Sequence, residues 1–232
     1  MKRMAIFVEG QTEQMFAEGL IRRVAGERNI HIDTAKAHGG KLNPRQFLEI
    51  TTRSEASKKY YVIIYDSSND GRVLSDIIEK YDDLVARGFS EILGIRDVNP
   101  QAATNIPDIR ASFAARAPSA PIPSTLILSV MEIEAWFIAE HYHFQTMHPS
   151  LTHASVTATL GYDPATCDSQ QIPHPVEDLK KVYCLAQLGY NKSKWHVQRT
   201  VNQLNYAHIY FDLRGSIPDL ETLAATIDRF MS

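Results

Sequence analysis

Along the first 130 positions, bulky apolar residues come in short runs, each closed by acids or glycine and followed by a polar segment with helical spacing. Met4-Ala5-Ile6-Phe7-Val8 stops at Glu9-Gly10, and a run of that length ended by Gly predicts a buried strand. Thr12 then suits a helix N-cap, with Met15, Phe16, Leu20 and Ile21 on one helical face and a stop near Gly26. Residues 30–35 alternate as a second strand at the periphery. His38-Gly39-Gly40-Lys41 reads as a turn, and Asn43-Pro44 as the start of a helix carrying Phe47, Leu48 and Ile50. The clearest strand is Tyr60-Tyr61-Val62-Ile63-Ile64-Tyr65, which ends in Asp66-Ser67-Ser68-Asn69-Asp70-Gly71. Val73, Ile77, Ile78, Tyr81, Leu84 and Val85 predict a helix over 73–87, with Gly88 as its C-cap. A strand over 91–95 runs into Arg96-Asp97-Val98-Asn99-Pro100, a helix is expected within 104–117, and a Pro-rich linker leads to a strand over 124–130. That strand passes straight into Met131-Glu132-Ile133-Glu134-Ala135-Trp136-Phe137, which has helical periodicity.

Strand, helix and strand at this spacing imply right-handed parallel βαβ units. The expected fold is therefore α/β, a mainly parallel sheet flanked by helices over residues 1–140. From about His141 the alternation ends and short helical patterns rich in His, Thr and Pro take over. Residues 141–232 are expected to be a mostly helical C-terminal extension packed on the first domain.

Composition changes this picture little. The 232 residues suffice for one sizeable core, and 44% hydrophobic with 22% charged residues is ordinary for a globular chain. A net charge of −3 gives no global attraction to nucleic acid, so such binding needs a local basic patch. Cys167 and Cys184 form no CxxC pair, which fits a reducing compartment. The N-terminal apolar run is too short for a signal-peptide core or a membrane span, and a cytoplasmic location is expected.

Chemistry concentrates where strands end. Glu9, Asp66 with Asp70, and Asp97 follow three predicted strands, and Glu132 and Glu134 follow a fourth. The carboxyl ends of parallel strands share one edge, which is where open α/β sheets bind ligands. Clustered anions repel unless a cation compensates them, and carboxylate oxygens suit Mg²⁺ or Mn²⁺. Such an ion would orient a phosphodiester, activate water and stabilise the leaving oxygen. Ordinary roles compete at each position: Asp66 and Asp70 can build an Asx turn and cap the next helix, and Asp97 can pair with Arg96 or cap the segment after it. Glu132 and Glu134 are two residues apart, so on a helix they diverge. Glu134 is the expected ligand and Glu132 a helix-start residue.

Val8-Glu9-Gly10 after the first strand, together with the acidic strand ends, resembles the Toprim domain of topoisomerases, bacterial primases and the OLD and RloB-like nucleases. Phe7-Val8-Glu9-Gly10-Gln11-Thr12-Glu13 with Glu132-Ile133-Glu134-Ala135-Trp136-Phe137 is most similar to small Toprim-like proteins of bacterial mobile and defence loci, over about residues 4–140. The resemblance implies that Glu9 is a Mg²⁺ ligand and a general base towards water. It also implies an Asp-x-Asp motif. Asp66 to Asp70 keeps the outer acids but has Ser68 at the inner position, whereas Asp97-Val98-Asn99 keeps the first acid and has Asn99 as the second. Either both loops contribute with Glu134, or the site has weakened. The implied activity is metal-dependent phosphodiester hydrolysis with Glu9, Asp66 and Asp97 as catalytic residues and Glu9, Asp66, Asp70, Asp97 and Glu134 as metal ligands. An ABC-like ATPase partner is implied as well. The chain lacks the length for topoisomerase strand gating or primase template handling. A non-catalytic Toprim-like subunit that binds nucleic acid or a partner, and a nucleotide phosphohydrolase, are the competing expectations.

Tyr190 to Arg199 is the best local basic patch. Lys192 and Lys194 are its expected nucleic-acid contacts, with Trp195 available for stacking; the ordinary alternative is a helix entry with Trp195 in the core. The Toprim-like relatives imply a Tyr-x-Lys element here, in this chain Tyr190-Asn191-Lys192. His141, His143, His148 and His153 match no common structural zinc spacing. Neither a G-x-S-x-G elbow nor a phosphate-loop motif G-x-x-x-x-G-K-[ST] is present.

Overall fold

A computed structural model describes residues 1–39, 45–50, 58–69 and 71–232. The strands are β1 (Lys2–Val8), β2 (Ile30–His38), β3 (Gln46–Ile50), β4 (Tyr60–Asp66), β5 (Glu91–Asp97) and β6 (Ser124–Ser129). The helices are α1 (Gln11–Ala25), α2 (Val73–Ala86), α3 (Ile106–Arg116), α4 (Glu134–Ala139), α5 (Tyr142–Met147), α6 (His153–Leu160), α7 (Pro175–Cys184), α8 (Lys194–Gln203), α9 (Tyr206–Phe211) and α10 (Pro218–Met231). The fold is α/β: the six strands make one mostly parallel sheet in the order β3-β2-β4-β1-β5-β6, flanked by helices, with further helices towards the C-terminus. β1 pairs in parallel with β4 and β5, and β2 pairs in parallel with β4. Among the described residues no helix is long and apolar enough to cross a membrane.

The chain divides into two compact units. One comprises residues 1–96, 105–128 and 222–232, the other residues 97–104 and 129–221. The first unit holds the sheet. Met4, Ile6 and Phe7 of β1 and Val62, Ile64 and Tyr65 of β4 are fully buried, as strands covered on both faces demand. Phe7 stacks on Tyr65 with ring centroids 4.7 Å apart. The C-terminal turns of α10 belong to this unit: Arg229 makes a bidentate pair with Glu91 at 2.7 and 2.8 Å, and Tyr60 Oη donates to Met231 O. The second unit is mainly helical, with Trp136, Phe144, Leu179, Tyr183 and Val197 buried. His143 Nε2 lies 3.0 Å from Tyr183 Oη, which in turn lies 3.2 Å from Thr200 Oγ1.

Three expectations change. α1 begins at Gln11 with Gly10 at the cap, so Thr12 lies inside the helix and is buried; Glu13 accepts the Gly10 N–H at 2.9 Å. A carboxylate reaching back from the first turn takes the place of the expected capping hydroxyl. Residues 46–50 form a strand instead of a helix, antiparallel to β2 from His38↔Gln46 to Thr34↔Ile50. The expected helix start at Asn43-Pro44 lies outside the described residues, as do Gly40 and Lys41 of the expected turn. The short apolar cluster had no period long enough to separate helix from strand, and the pairing decides it: Phe47 packs edge-on against Tyr65 at 5.0 Å while Leu48 and Ile50 face solvent. β3 also makes β2 an interior strand and not a peripheral one.

β5 carries Gly94 opposite Phe7 of β1. A Cβ at Gly94 would sit 3.0 Å from Val73 Cγ1 and 3.1 Å from Ile77 Cδ1 of α2, so the close packing of α2 on β5 leaves little room for a side chain there. Gly94→Val is expected to destabilise the protein by about 1–3 kcal/mol through overpacking. Urea unfolding measures it, and an unchanged midpoint would show that α2 does not press on β5 there.

Candidate metal centre

The acids of the first unit sit where the strand pattern puts them. Asp66 ends β4 as the register partner of Val8, and Glu9 comes directly after Val8; both are buried. Asp66 Oδ1 accepts the Ser68 N–H at 2.8 Å and the Ser68 hydroxyl at 3.1 Å, so it builds an Asx turn in which Ser68 takes a φ of 53°. Lys36 Nζ lies 3.5 Å from Asp66 Oδ2. Asp70 lies outside the described residues.

The second unit assembles a denser centre. Asp97, Glu132 and Glu134 each offer a carboxylate oxygen, and these oxygens all lie within 4.8 Å of one another. Their placement results from the backbone after β6. Val98 N–H donates to Ser129 O and Asn99 N–H to Met131 O, which holds the two chain segments side by side. Asp97 Oδ1 accepts from the Ser129 hydroxyl in a short hydrogen bond and from the Ile133 N–H at 3.0 Å, which orients its carboxylate and caps the turn before α4. Met131 turns the chain with a φ of 64°, an uncommon conformation for a residue with a Cβ. α4 begins only at Glu134, so Glu132 precedes the helix and helical divergence does not apply to the pair. Both glutamates face the centre, which corrects the expectation that Glu134 alone would do so.

Lys192 completes the group. Its Nζ lies 2.9 Å from Glu132 Oε1, 3.2 Å from Glu134 Oε2 and 3.9 Å from Asp97 Oδ2. The residue holds a φ of 57° in the loop before α8. Tyr190 Oη donates to Glu134 Oε1 at 2.8 Å. Burial pushes the fully buried Glu134 carboxyl above its ordinary range, and Lys192 and Tyr190 only partly offset it. For Lys192, burial works against the charged form, yet Glu134, Asp97 and Glu132 outweigh it and hold the ammonium well above its usual range. Three carboxylates facing one ammonium leave an excess of negative charge. The all-oxygen donor set suits a hard divalent cation, so this centre can hold a metal ion.

Of the residues singled out from sequence, Asp97 and Glu134 meet in this centre, while Glu9 and Asp66 lie at neighbouring strand ends of the first unit. Lys192 points its ammonium into the acids, whereas Lys194 is exposed. Sequence reasoning misses Glu132 and Tyr190 in these roles; the Tyr-x-Lys spacing is the one signal that points to the latter. Of the histidines, His143 is buried against Tyr183, His148 bonds Ser150, and His141 and His153 line a cavity of about 230 Å³ with Tyr142, Phe144 and Leu151. Comparison of the chain with family models, with curated proteins and with solved structures finds no match.

Proposed function

We propose that this chain is a Mg²⁺- or Mn²⁺-dependent phosphodiester hydrolase of the Toprim type, a nuclease. The observation that supports this reading most is the cluster of Asp97, Glu132 and Glu134. A divalent ion there would polarise the phosphodiester and lower the pKa of an attacking water. The chain's own groups supply the rest. Asp97 is oriented by Ser129 and Ile133, and Tyr190 steadies Glu134. Lys192 can turn its ammonium from the carboxylates to a phosphate oxygen, where a point charge is an effective partner. Glu9, Asp66 and Asp70 enter as metal ligands through the Toprim resemblance, as do the defence-locus role and the ABC-like ATPase partner.

The test is cleavage of mixed DNA and RNA substrates with Mg²⁺ or Mn²⁺ by the wild type, Glu9→Ala and Glu134→Gln. Metal-dependent cleavage that falls at least 100-fold in both variants is expected, in line with losses on removing one electrostatic contributor. Full activity in Glu134→Gln would remove the centre from the reaction. A second reading has its own support: the Lys192 ammonium already lies among the carboxylates, as in a non-catalytic Toprim-like subunit that needs no ion. Calorimetric titration of the wild type with Mn²⁺ separates the two, because absent binding would sink the nuclease.

A further inference from the structure

We propose that the start of α8 is a binding platform for single-stranded nucleic acid, in which the Trp195 indole stacks on an unpaired base and Lys194 and Arg199 hold the adjoining phosphates. The chain has two tryptophans. Trp136 is 1% exposed and Trp195 is 65% exposed, so one fills a core and the other leaves most of its surface in water. The Arg199 guanidinium carbon lies 4.8 Å from the Trp195 ring centroid, and Arg199 also donates a short hydrogen bond to Gly189 O, which holds the pair together. This is a braced, cation-backed aromatic surface.

The charge around it is one-sided. Residues 179–211 contain Lys180, Lys181, Lys192, Lys194 and Arg199 and not one Asp or Glu, in a chain whose net charge is −3. Lys180 and Lys181 face Glu177 and Asp178 of their own helix, and Lys192 is committed to the acidic centre. Lys194 is exposed and Arg199 lies over the indole, so those two give the platform its positive field. An exposed indole between two cations fits a polyanion that carries flat apolar faces. A single strand offers both, whereas a duplex hides its base faces in the stack.

Position adds to the argument. Tyr190 and Lys192 reach into the acidic centre, and Trp195 is three residues beyond Lys192, no more than about 11 Å away between Cα atoms. A strand seated on Trp195 is thereby presented to the carboxylates. That consequence rests on the nuclease reading; the binding itself does not.

The experiment uses the full chain in EDTA, so that no turnover occurs. Tryptophan emission is titrated with an oligothymidylate of about 15 nucleotides, a length within the usual site sizes, and affinity is measured in parallel by anisotropy of a labelled oligonucleotide. The expected result is quenching of the exposed indole, weaker binding at higher salt, and a loss of about tenfold or more in affinity for Trp195→Ala. Trp195→Phe, which keeps an aromatic face, is expected to retain most of the affinity. Unchanged affinity in Trp195→Ala, or equal affinity for a duplex of the same length, would overturn the platform. Metal-dependent cleavage without this binding would sink the platform alone, and binding without cleavage would sink the nuclease alone.

Discussion

Lys192→Met is expected to lower the unfolding free energy in EDTA at neutral pH and, at the same time, to tighten Mn²⁺ binding. Removing one partner of a buried ion pair costs about 3–5 kcal/mol. The Lys192 side chain is 34% exposed, so solvent screening reduces the expected loss to about 2–4 kcal/mol. Asp97, Glu132 and Glu134 would then face one another with no ammonium between them. The destabilised carboxylates become the better ligand set, and Mn²⁺ should restore much of the lost stability because it binds only the folded chain.

The pH dependence has a definite sign. Glu134 is raised above its ordinary value near 4.5, so the folded chain keeps that proton to higher pH than the unfolded chain does. Stability therefore falls as pH rises above about 4.5, until the folded group has ionised. Lys192 acts oppositely over another window. Its folded value lies above the ordinary 10.5, so its stabilisation is complete below 10.5 and is lost only as pH rises through the folded value. The Lys192 ammonium holds the Glu134 carboxyl down, so in the methionine variant Glu134 is raised further, the first effect grows, and the deficit should be larger at pH 8 than at pH 5. Urea unfolding at both values measures this. An equal deficit at both would mean that Lys192 acts through packing and not through the carboxylates.

Asp97→Ala is expected to cost about 2–6 kcal/mol. The substitution strips the acceptor from the Ser129 hydroxyl and the Ile133 N–H, and each buried donor left unsatisfied costs about 1–3 kcal/mol. Ser129 and Ile133 are fully buried, so water does not readily replace the carboxylate. Asp97→Asn retains a carbonyl oxygen for the Ile133 N–H and should lose less than half as much. Adding Ser129→Ala to Asp97→Ala removes one of the stranded donors, so the double variant should be more stable than the sum of the singles predicts. Additive losses in that cycle would show that the short Ser129–Asp97 hydrogen bond carries no coupling. Mn²⁺ binding should be weakened in both Asp97 variants, because the alanine has no donor at that position and the amide no charge.

By itself the sequence determined what depends on short range. The apolar runs at β1, β4, β5 and β6 and the helical faces of α1 and α2 lie where their periodicity places them, because strand and helix repeats are properties of neighbouring residues. Gly26 and Gly88, read as helix stops, both take positive φ next to the ends of α1 and α2. The acids at the ends of β4 and β5 come from the same pattern. Only the tertiary structure decided the rest. β3 is a strand because β2 offers it a partner, and no window of five residues contains that information. Glu132 joins Glu134 because the chain breaks its expected helix at Met131, a conformation that the helical repeat of Glu132 to Phe137 conceals. Lys192 reaches Asp97, Glu132 and Glu134 across 95, 60 and 58 positions of sequence. What brings them together is mutual compensation of buried charge, which exists only once the chain has folded around it.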